Sequence, residues 1–164
     1  MGLEFSVDPA DIDESVLPGE DAVAYVLRVA RAKCAAVAAG HPGDVVLAAD
    51  TTVAVDATIV GKPGDHAEAV AMITRLAGRT HQVHKAVVVS TAGGVRDVVV
   101  TTDVTFVPLT AVDIEWYVGL GESFDKAGGY GIQSAGGALV ARIEGSPTNV
   151  IGLPLPETLA LLAD

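Results

Sequence analysis

The sequence predicts a single α/β domain over residues 1–164, in which helices flank a central mixed, twisted sheet. Two patterns predict this class. Val45–Ala49 is wholly apolar, which is typical of a strand buried on both faces inside a helix-covered sheet. Farther along, the β-branched segments Arg79–Thr91 and Val95–Val107 flank Ala92-Gly93-Gly94 and predict a long hairpin. A chain of this length can bury a substantial core.

Helices are predicted where apolar residues recur at helical spacing between capping signals. The first runs from Asp21 to Ala39 and ends before Gly40. The second, Ala67–Leu76, follows a capping-box pattern. The remaining predicted elements are a short strand at Gly2–Val7, a short helix from Thr110 to Val118 that packs Trp116 and Tyr117 against the sheet, a last strand at Ala138–Ile143 and a closing helix at Pro156–Leu162.

The composition narrows the class of protein. A formal net charge of −11 with only ten Lys and Arg argues against a protein that wraps DNA or RNA, since that needs a cationic face. No apolar run approaches the roughly 18 residues of a membrane span. The first residues are acidic, so we expect a soluble, cytoplasmic protein. Any phosphate-bearing ligand must be met by a few placed cations, helped by a divalent metal.

Asp50 is the first candidate functional residue, because a carboxylate follows directly on the apolar run and precedes Thr51. Ligand crevices in α/β sheets form at the carboxyl ends of strands, which favours a binding role. It is equally open that both residues only tie down a turn. Lys33, at the edge of the first helix's apolar stripe, either snorkels to solvent or reaches into a cleft. The acidic loop that contains Glu14 is either a solvated turn or a metal-binding loop.

Two other patterns argue against particular functions. The glycine-rich stretch ESFDKAGGYGIQSAGGALV contains no G-x-G-x-x-G after a strand, so a dinucleotide fingerprint is not supported. Its glycines suit turns or a close approach of the backbone to a ligand. His81 and His84 are three residues apart on one strand, so they point to opposite faces and make a poor metal pair.

Six short motifs, in order along nearly the whole chain, indicate a family. Together they resemble the Maf family of nucleoside triphosphate pyrophosphatases, whose fold is similar to that of inosine triphosphatases. The motifs are PADIDES at Pro9–Ser15, ARAKCAAV at Ala30–Val37, ADTTV at Ala49–Val53 with GKP at Gly61–Pro63, GRTHQV at Gly78–Val83, DKAGGYGIQ at Asp125–Gln133 and NVIGLPL at Asn149–Leu155.

The resemblance implies hydrolysis of the bond between the α- and β-phosphates of a nucleotide, which releases a monophosphate and pyrophosphate with Mg²⁺ or Mn²⁺ as cofactor. It makes Asp50 the general base or water-orienting carboxylate and, with Glu14, a metal ligand. Lys33 and Lys62 match positions that contact phosphates. It also implies a homodimer.

The motif DKAGGYGIQ, with Thr51 after Asp50, resembles the subgroup that acts on dTTP and UTP. Gln133 and Thr51 match positions that the family links to base choice. A glutamine amide offers both a donor and an acceptor, which suits the edge of a pyrimidine. Tyr130 is expected to pack rather than to serve as a stacking platform.

The sequence departs from the family at its beginning. Family members carry a strand, a loop of the form S-x-S-P-R-R and a helix before the position of Gly2. We therefore expect these elements to be missing, a sheet edge or apolar face to be uncovered and activity to be weak. Either the start is misassigned or the chain is a truncated relative. The alternative function is a non-catalytic, nucleotide-binding regulator of septum formation.

Overall fold

The computed structural model describes residues 4–163, and its centre is one five-stranded sheet in the order β2-β1-β3-β4-β5. The predicted class, a central sheet flanked by helices, is confirmed. The expected mixed character is wrong for the described strands, because all four neighbouring pairs are antiparallel. The short β2 turns the chain back before the next crossover, so β3 enters the sheet opposite to β1. The strands are β1 (Val46–Val55), β2 (Thr58–Val60), β3 (Thr80–Thr91), β4 (Gly94–Phe106) and β5 (Val140–Glu144).

The helices begin at the capping residues that the sequence predicted. The Asp21 carboxylate accepts from two backbone N–H groups of the first turn, and Asp65 caps the second helix. Thr110 and Asp113 form a complete capping box. Pro147 begins a short helix in which the Ser146 hydroxyl accepts from the Asn149 N–H. The helices are α1 (Ala22–Gly40), α2 (His66–Leu76), α3 (Ala111–Gly119), α4 (Pro147–Ile151) and α5 (Leu155–Ala163), with 3-10 turns at Ala127–Gly129 and Ala135–Leu139.

Each face of the sheet carries its own apolar core. On one face α1 packs Val26, Ala30 and Cys34 against β1 and β3, and Cys34 is a buried free thiol. On the other face α2, α3 and the 3-10 turns cover a larger core that includes Ile73 and Tyr117. No helix within residues 4–163 is long and apolar enough to cross a membrane.

The apolar run before Asp50 is less buried than predicted. Val45 lies before β1 and is 62% exposed, and Leu47 is also exposed. The reason is that β2 pairs only with residues 53–55 of β1, which leaves residues 46–52 without a strand on that side in the described chain. Nor does the strand end at Asp50, because Thr51 and Thr52 continue the ladder to β3.

Two smaller predictions also need correction. Of the strand predicted at Gly2–Val7, the first two residues lie outside the described residues, and residues 4–7 form no strand. Trp116 does not pack against the sheet: it is 51% exposed, whereas its neighbour Tyr117 is fully buried. Adjacent residues on a helix point in different directions, so only one of the pair faces the core.

Candidate active site

Asp50 lies in the middle of β1, on the face that α1 covers, and is only 9% exposed. The Lys33 ammonium donates to Asp50 Oδ1 at 2.7 Å and lies 2.8 Å from Glu14 Oε1. Lys33 reaches inward because it lies one helical turn after Val29 and Ala30, which are both fully buried. Of the two fates open from the sequence, the structure therefore shows the cleft and not solvent, and it brings three predicted site residues together.

The two carboxylates hold Lys33 as a cation. Burial opposes its charge, but hydrogen bonds to Asp50 and Glu14 outweigh that cost and raise the pKa of Lys33. Lys33 uses Oδ1 of Asp50, and Oδ2 makes no hydrogen bond to a described residue. That second oxygen is therefore available to a ligand or a water molecule.

A cavity of about 520 Å³ borders Asp50 and is lined by the other predicted site residues, Thr51, Lys62 and Gln133. Thr51 points to the face opposite Asp50, since neighbouring residues of a strand alternate. Lys62 follows β2 and makes no hydrogen bond or ion pair with a described residue. Asp50 thus belongs to both groups of predicted residues: it forms an ion pair with Lys33, and it lines the cavity. The roles of these residues stay predictions.

The glycine-rich stretch forms one wall of the cavity. Gly128 has a φ of +73°, in the left-handed region that glycine favours, and its N–H donates to the Gly61 carbonyl at 2.9 Å. A Cβ at this position would lie 2.9 Å from Cγ2 of Val53, which lines the cavity. Of the two uses that the sequence left open for these glycines, the structure shows the turn. The close approach that it shows is to Val53 of β1. This contact holds the wall beside the loop that carries Lys62.

Asn149 is a positioning residue that the sequence reasoning left without a role. It is fully buried, and its side-chain amide donates to the carbonyls of Val83 and Val100 and to Thr102 Oγ1 at 3.1–3.3 Å. These bonds fasten α4 to β3 and β4, so the end of α4 reaches the cavity wall. The signal in the sequence was a polar residue inside the apolar motif NVIGLPL.

Tyr130 packs as expected. It is buried, shares a hydrogen bond of 2.6 Å with His81 Nε2 and makes edge contacts with the rings of His81 and Phe106. Burial lowers the pKa of His81 to about 4, with a small opposing effect of Asp103. Burial also raises the pKa of Tyr130 far above its ordinary value. Both groups are therefore neutral near pH 7 and form part of the cavity's support.

Two of the four lysines were not predicted at the site, yet one lines the cavity and the other bonds to a residue of its wall. Lys126 lines the cavity and pairs with Asp125 at 2.5 Å. Lys85 is buried in β3 and donates to Thr51 Oγ1. Each arginine bonds elsewhere: Arg28 to Glu20, Arg31 to Asp97, Arg75 to the Val55 carbonyl, Arg79 to Asp56, Arg96 to the Leu161 carbonyl and Arg142 to Glu144.

The donors at Asp50 fit a divalent metal only in part. No group of three or more His, Cys, Asp or Glu between residues 4 and 163 lies close enough to hold an ion. The carboxylates of Glu14 and Asp50 both form an ion pair with the ammonium of Lys33. Two carboxylates supply part of the oxygen ligands that a hard divalent cation needs, and water would have to supply the rest.

The fold and the site together define an α/β domain with a cavity whose charged lining is two lysines, Lys62 and Lys126, and two carboxylates, Asp50 and Asp125. The family described as Maf-like protein matches residues 1–164, and the chain belongs to the Maf family. The resemblance predicted from the motifs is confirmed.

Three similar relatives carry the same name. The chain is 54% identical over 163 residues to the dTTP/UTP pyrophosphatase of Myxococcus xanthus, a match that covers 99% of this chain and 82% of that protein. It is 49% identical over 164 residues to the dTTP/UTP pyrophosphatase of Methylobacillus flagellatus, with 99% and 82% covered. It is 47% identical over 160 residues to that of Lacticaseibacillus casei, with 97% and 86% covered.

Proposed function

We propose that the protein hydrolyses nucleoside triphosphates, dTTP and UTP foremost, to the monophosphate and pyrophosphate. The observation that carries this proposal is a cavity beside Asp50 that two of the four lysines of a strongly acidic chain line, while the other two bond to Asp50 and Thr51 at its wall. A triphosphate is the kind of ligand that needs such a concentration of positive charge. The relatives named dTTP/UTP pyrophosphatase support the choice of base.

Asp50 acts on the attacking water. Its free Oδ2 orients the water and accepts its proton while Lys33 holds Oδ1 in place. The water oxygen forms a bond to the α-phosphorus, the bond from that phosphorus to the bridging oxygen breaks, and pyrophosphate leaves. Lys62 and Lys126 face the phosphates and stabilise the charge that builds up on them.

The remaining predicted residues bind the other ligands. Gln133 and Thr51 contact the edge of the base from the cavity wall. Glu14 and Asp50 hold a divalent cation, which when bound offsets the negative charge of the phosphates. Lys33 keeps these two carboxylates together and, with Lys62, contacts the phosphates of the substrate.

The test is a pyrophosphate-release assay on dTTP, UTP, dCTP and GTP with Mg²⁺ or Mn²⁺, repeated after chelation. We expect release from dTTP and UTP that requires the metal. Nucleotide binding by calorimetry with no pyrophosphate released would contradict the proposal and favour the non-catalytic, nucleotide-binding regulator instead.

We also propose that the protein is a homodimer. An apolar stripe supports this proposal: Val112 and Trp116 on α3 and Leu120 directly after it recur every four residues and are all exposed. Such spacing places the three side chains on one side of the helix. Contiguous exposed apolar surface of this kind marks association sites, and a second copy would cover it.

A further inference from the structure

Lys85 is a buried cation that the proposed mechanism does not use. It lies in the middle of β3, directly opposite Thr51 of β1 and Val100 of β4, and is only 7% exposed. Its neighbours on the same face of β3 are Val83 and Val87, both buried. Between residues 4 and 163 the one hydrogen bond of its ammonium group goes to Thr51 Oγ1, and that group forms no ion pair with a carboxylate.

This burial is costly, so it calls for a compensating role. Burial lowers the pKa of Lys85; the nearby Asp50 opposes that change and Lys33 adds to it. An ammonium that gives up water without a carboxylate partner destabilises a fold. Buried ionisable groups of this kind are concentrated at functional sites.

The chemistry of the bond restricts what Thr51 does. An ammonium group has only donors, so the Thr51 oxygen must be the acceptor in the bond from Lys85. The hydroxyl proton of Thr51 is then free to point elsewhere, and Thr51 lines the cavity. Without Lys85 the same hydroxyl offers either its proton or its lone pairs to a ligand. When Lys85 donates to this oxygen, the Thr51 hydroxyl is favoured as a hydrogen-bond donor to the ligand.

We propose that Lys85 is a specificity-determining positioning residue that holds the Thr51 hydroxyl as a donor toward an acceptor oxygen of the bound base. Uracil and thymine carry a carbonyl oxygen at position 4, whereas cytosine carries an amino group there. Lys85 therefore favours uracil and thymine nucleotides over cytosine nucleotides without itself touching the ligand. This inference rests on the proposed function for the class of substrate.

Lys85 acts on the base rather than on the phosphates because of where it lies. Lys62 and Lys126 line the cavity and reach a ligand directly. The Lys85 ammonium is buried behind Thr51 and acts through a neutral hydroxyl. A neutral donor in a fixed direction distinguishes a carbonyl from an amino group, whereas a bare positive charge attracts any triphosphate alike.

The test measures kcat/KM for UTP and CTP in the wild type, Lys85→Met, Thr51→Val and the double variant. Methionine keeps most of the side-chain length and removes the donor. We expect Lys85→Met to lower the UTP-to-CTP preference about 3- to 10-fold, the size of one hydrogen bond between neutral groups. The double variant should lose no more preference than Thr51→Val alone, because Lys85 acts through Thr51.

A thermal melt separates this role from a structural one. We expect Lys85→Met to raise Tm or leave it unchanged, since it removes an unpaired buried charge. The control is Arg142→Met, which removes an exposed cation paired with Glu144 and should alter neither preference nor turnover. Equal losses for UTP and CTP, or additive effects in the double variant, would overturn the inference.

A second measurement does not depend on turnover. Calorimetric binding of UMP and CMP should show a preference for UMP that Lys85→Met reduces. If the wild type released no pyrophosphate but kept this preference, the proposed hydrolysis would fail and the role of Lys85 would stand. If the wild type bound UMP no better than CMP, the role of Lys85 would be refuted.

Discussion

At the scale of single residues, the arginines and the lysines of this chain have different partners. The arginines bond to carboxylates and carbonyls away from the cavity. Among the lysines, Lys33 bonds to Asp50, Lys85 bonds to Thr51, and the other two line the cavity. An arginine fork forms two parallel bonds to a carboxylate and so suits fixed pairs. A lysine is a compact point charge on a flexible stem, which suits a ligand that comes and goes. The site is therefore built from the residue type that adapts to its ligand.

Replacing Asp50 by asparagine tests the catalytic carboxylate. The asparagine amide keeps an oxygen for Lys33 but cannot take a proton from water, so we expect turnover of UTP to fall at least about 100-fold with little change in Tm. The matched control is Asp56→Asn in the turn between β1 and β2, where the carboxylate pairs with Arg79 at the surface. Unchanged turnover in Asp50→Asn would remove Asp50 from the mechanism.

His81 predicts a pH dependence of stability. The unfolded imidazole binds a proton near pH 6.5, whereas the folded one does so only at about pH 4. Between these values the unfolded state holds more protons, so stability falls as the pH falls through this window, by up to about 3 kcal/mol. Above pH 6.5 both forms are neutral and the effect is absent.

The measurement compares urea unfolding at pH 7.5 and pH 4.5 for the wild type and His81→Gln. We expect the loss of stability on acidification to be about 2 kcal/mol smaller in His81→Gln. His66→Gln is the control, because His66 is exposed and pairs with Glu115 at the surface. An equal loss in the wild type and His81→Gln would show that His81 titrates normally.

At the scale of elements, two connections position the cavity walls against a rigid sheet. The 3-10 turn at Ala127–Gly129 approaches β1 at a glycine, and α4 is fastened to β3 and β4 by one buried amide. Both walls are loops or short elements held by few contacts, as is common for binding sites on a rigid scaffold. Their placement therefore depends on single residues more than that of β3 does.

Gly128→Ala tests the close approach. The left-handed φ of +73° costs an alanine about 1 kcal/mol, and the new Cβ would lie 2.9–3.1 Å from three atoms of Val53. We expect a total loss of about 1–3 kcal/mol in unfolding free energy and a raised KM for UTP. Gly121→Ala is the control for backbone strain alone, since Gly121 has a φ of +76° and open space around its Cβ position. Equal losses in the two variants would show that the contact with Val53 contributes nothing.

At the scale of the whole molecule, an acidic protein must attract an acidic substrate. The net charge of −11 repels a triphosphate at long range, and the lysines reverse this only close to the cavity. Salt screens the long-range repulsion more than the contacts of a bound ligand. We therefore expect the proposed triphosphate to be held by close contacts in the cavity rather than drawn in by long-range attraction.

The homodimer is tested by Trp116→Lys. A charge in the middle of the exposed α3 stripe should prevent burial of that stripe against a second copy. We expect sedimentation to show a dimer for the wild type and a monomer for Trp116→Lys at the same concentration. Val95→Lys, at an exposed apolar residue beside the β3–β4 hairpin turn, should stay dimeric. A monomeric wild type would contradict the dimer.

Local patterns made much of the fold predictable. The starts of three helices are predictable from their N-cap residues, Asp21, Asp65 and Thr110. The side chain of each accepts hydrogen bonds from backbone N–H groups within the next three residues. The β3–β4 hairpin was readable because its β-branched strands flank a glycine turn. The strand at Val45–Ala49 was misjudged because burial of a strand depends on its neighbours, and no local pattern shows that β2 reaches only Val53.

The sequence by itself determined the family, most of the helices and strands and which polar residues were candidates, because each rests on residue types at short spacing. Only the tertiary structure decided how those candidates meet. Lys33 could point to solvent or to Asp50, and the packing of α1 on β1 selects Asp50. Lys85 looked like any strand lysine until the antiparallel register placed it opposite Thr51. Register and packing join residues that are distant in the chain, and those contacts leave no pattern in a single sequence.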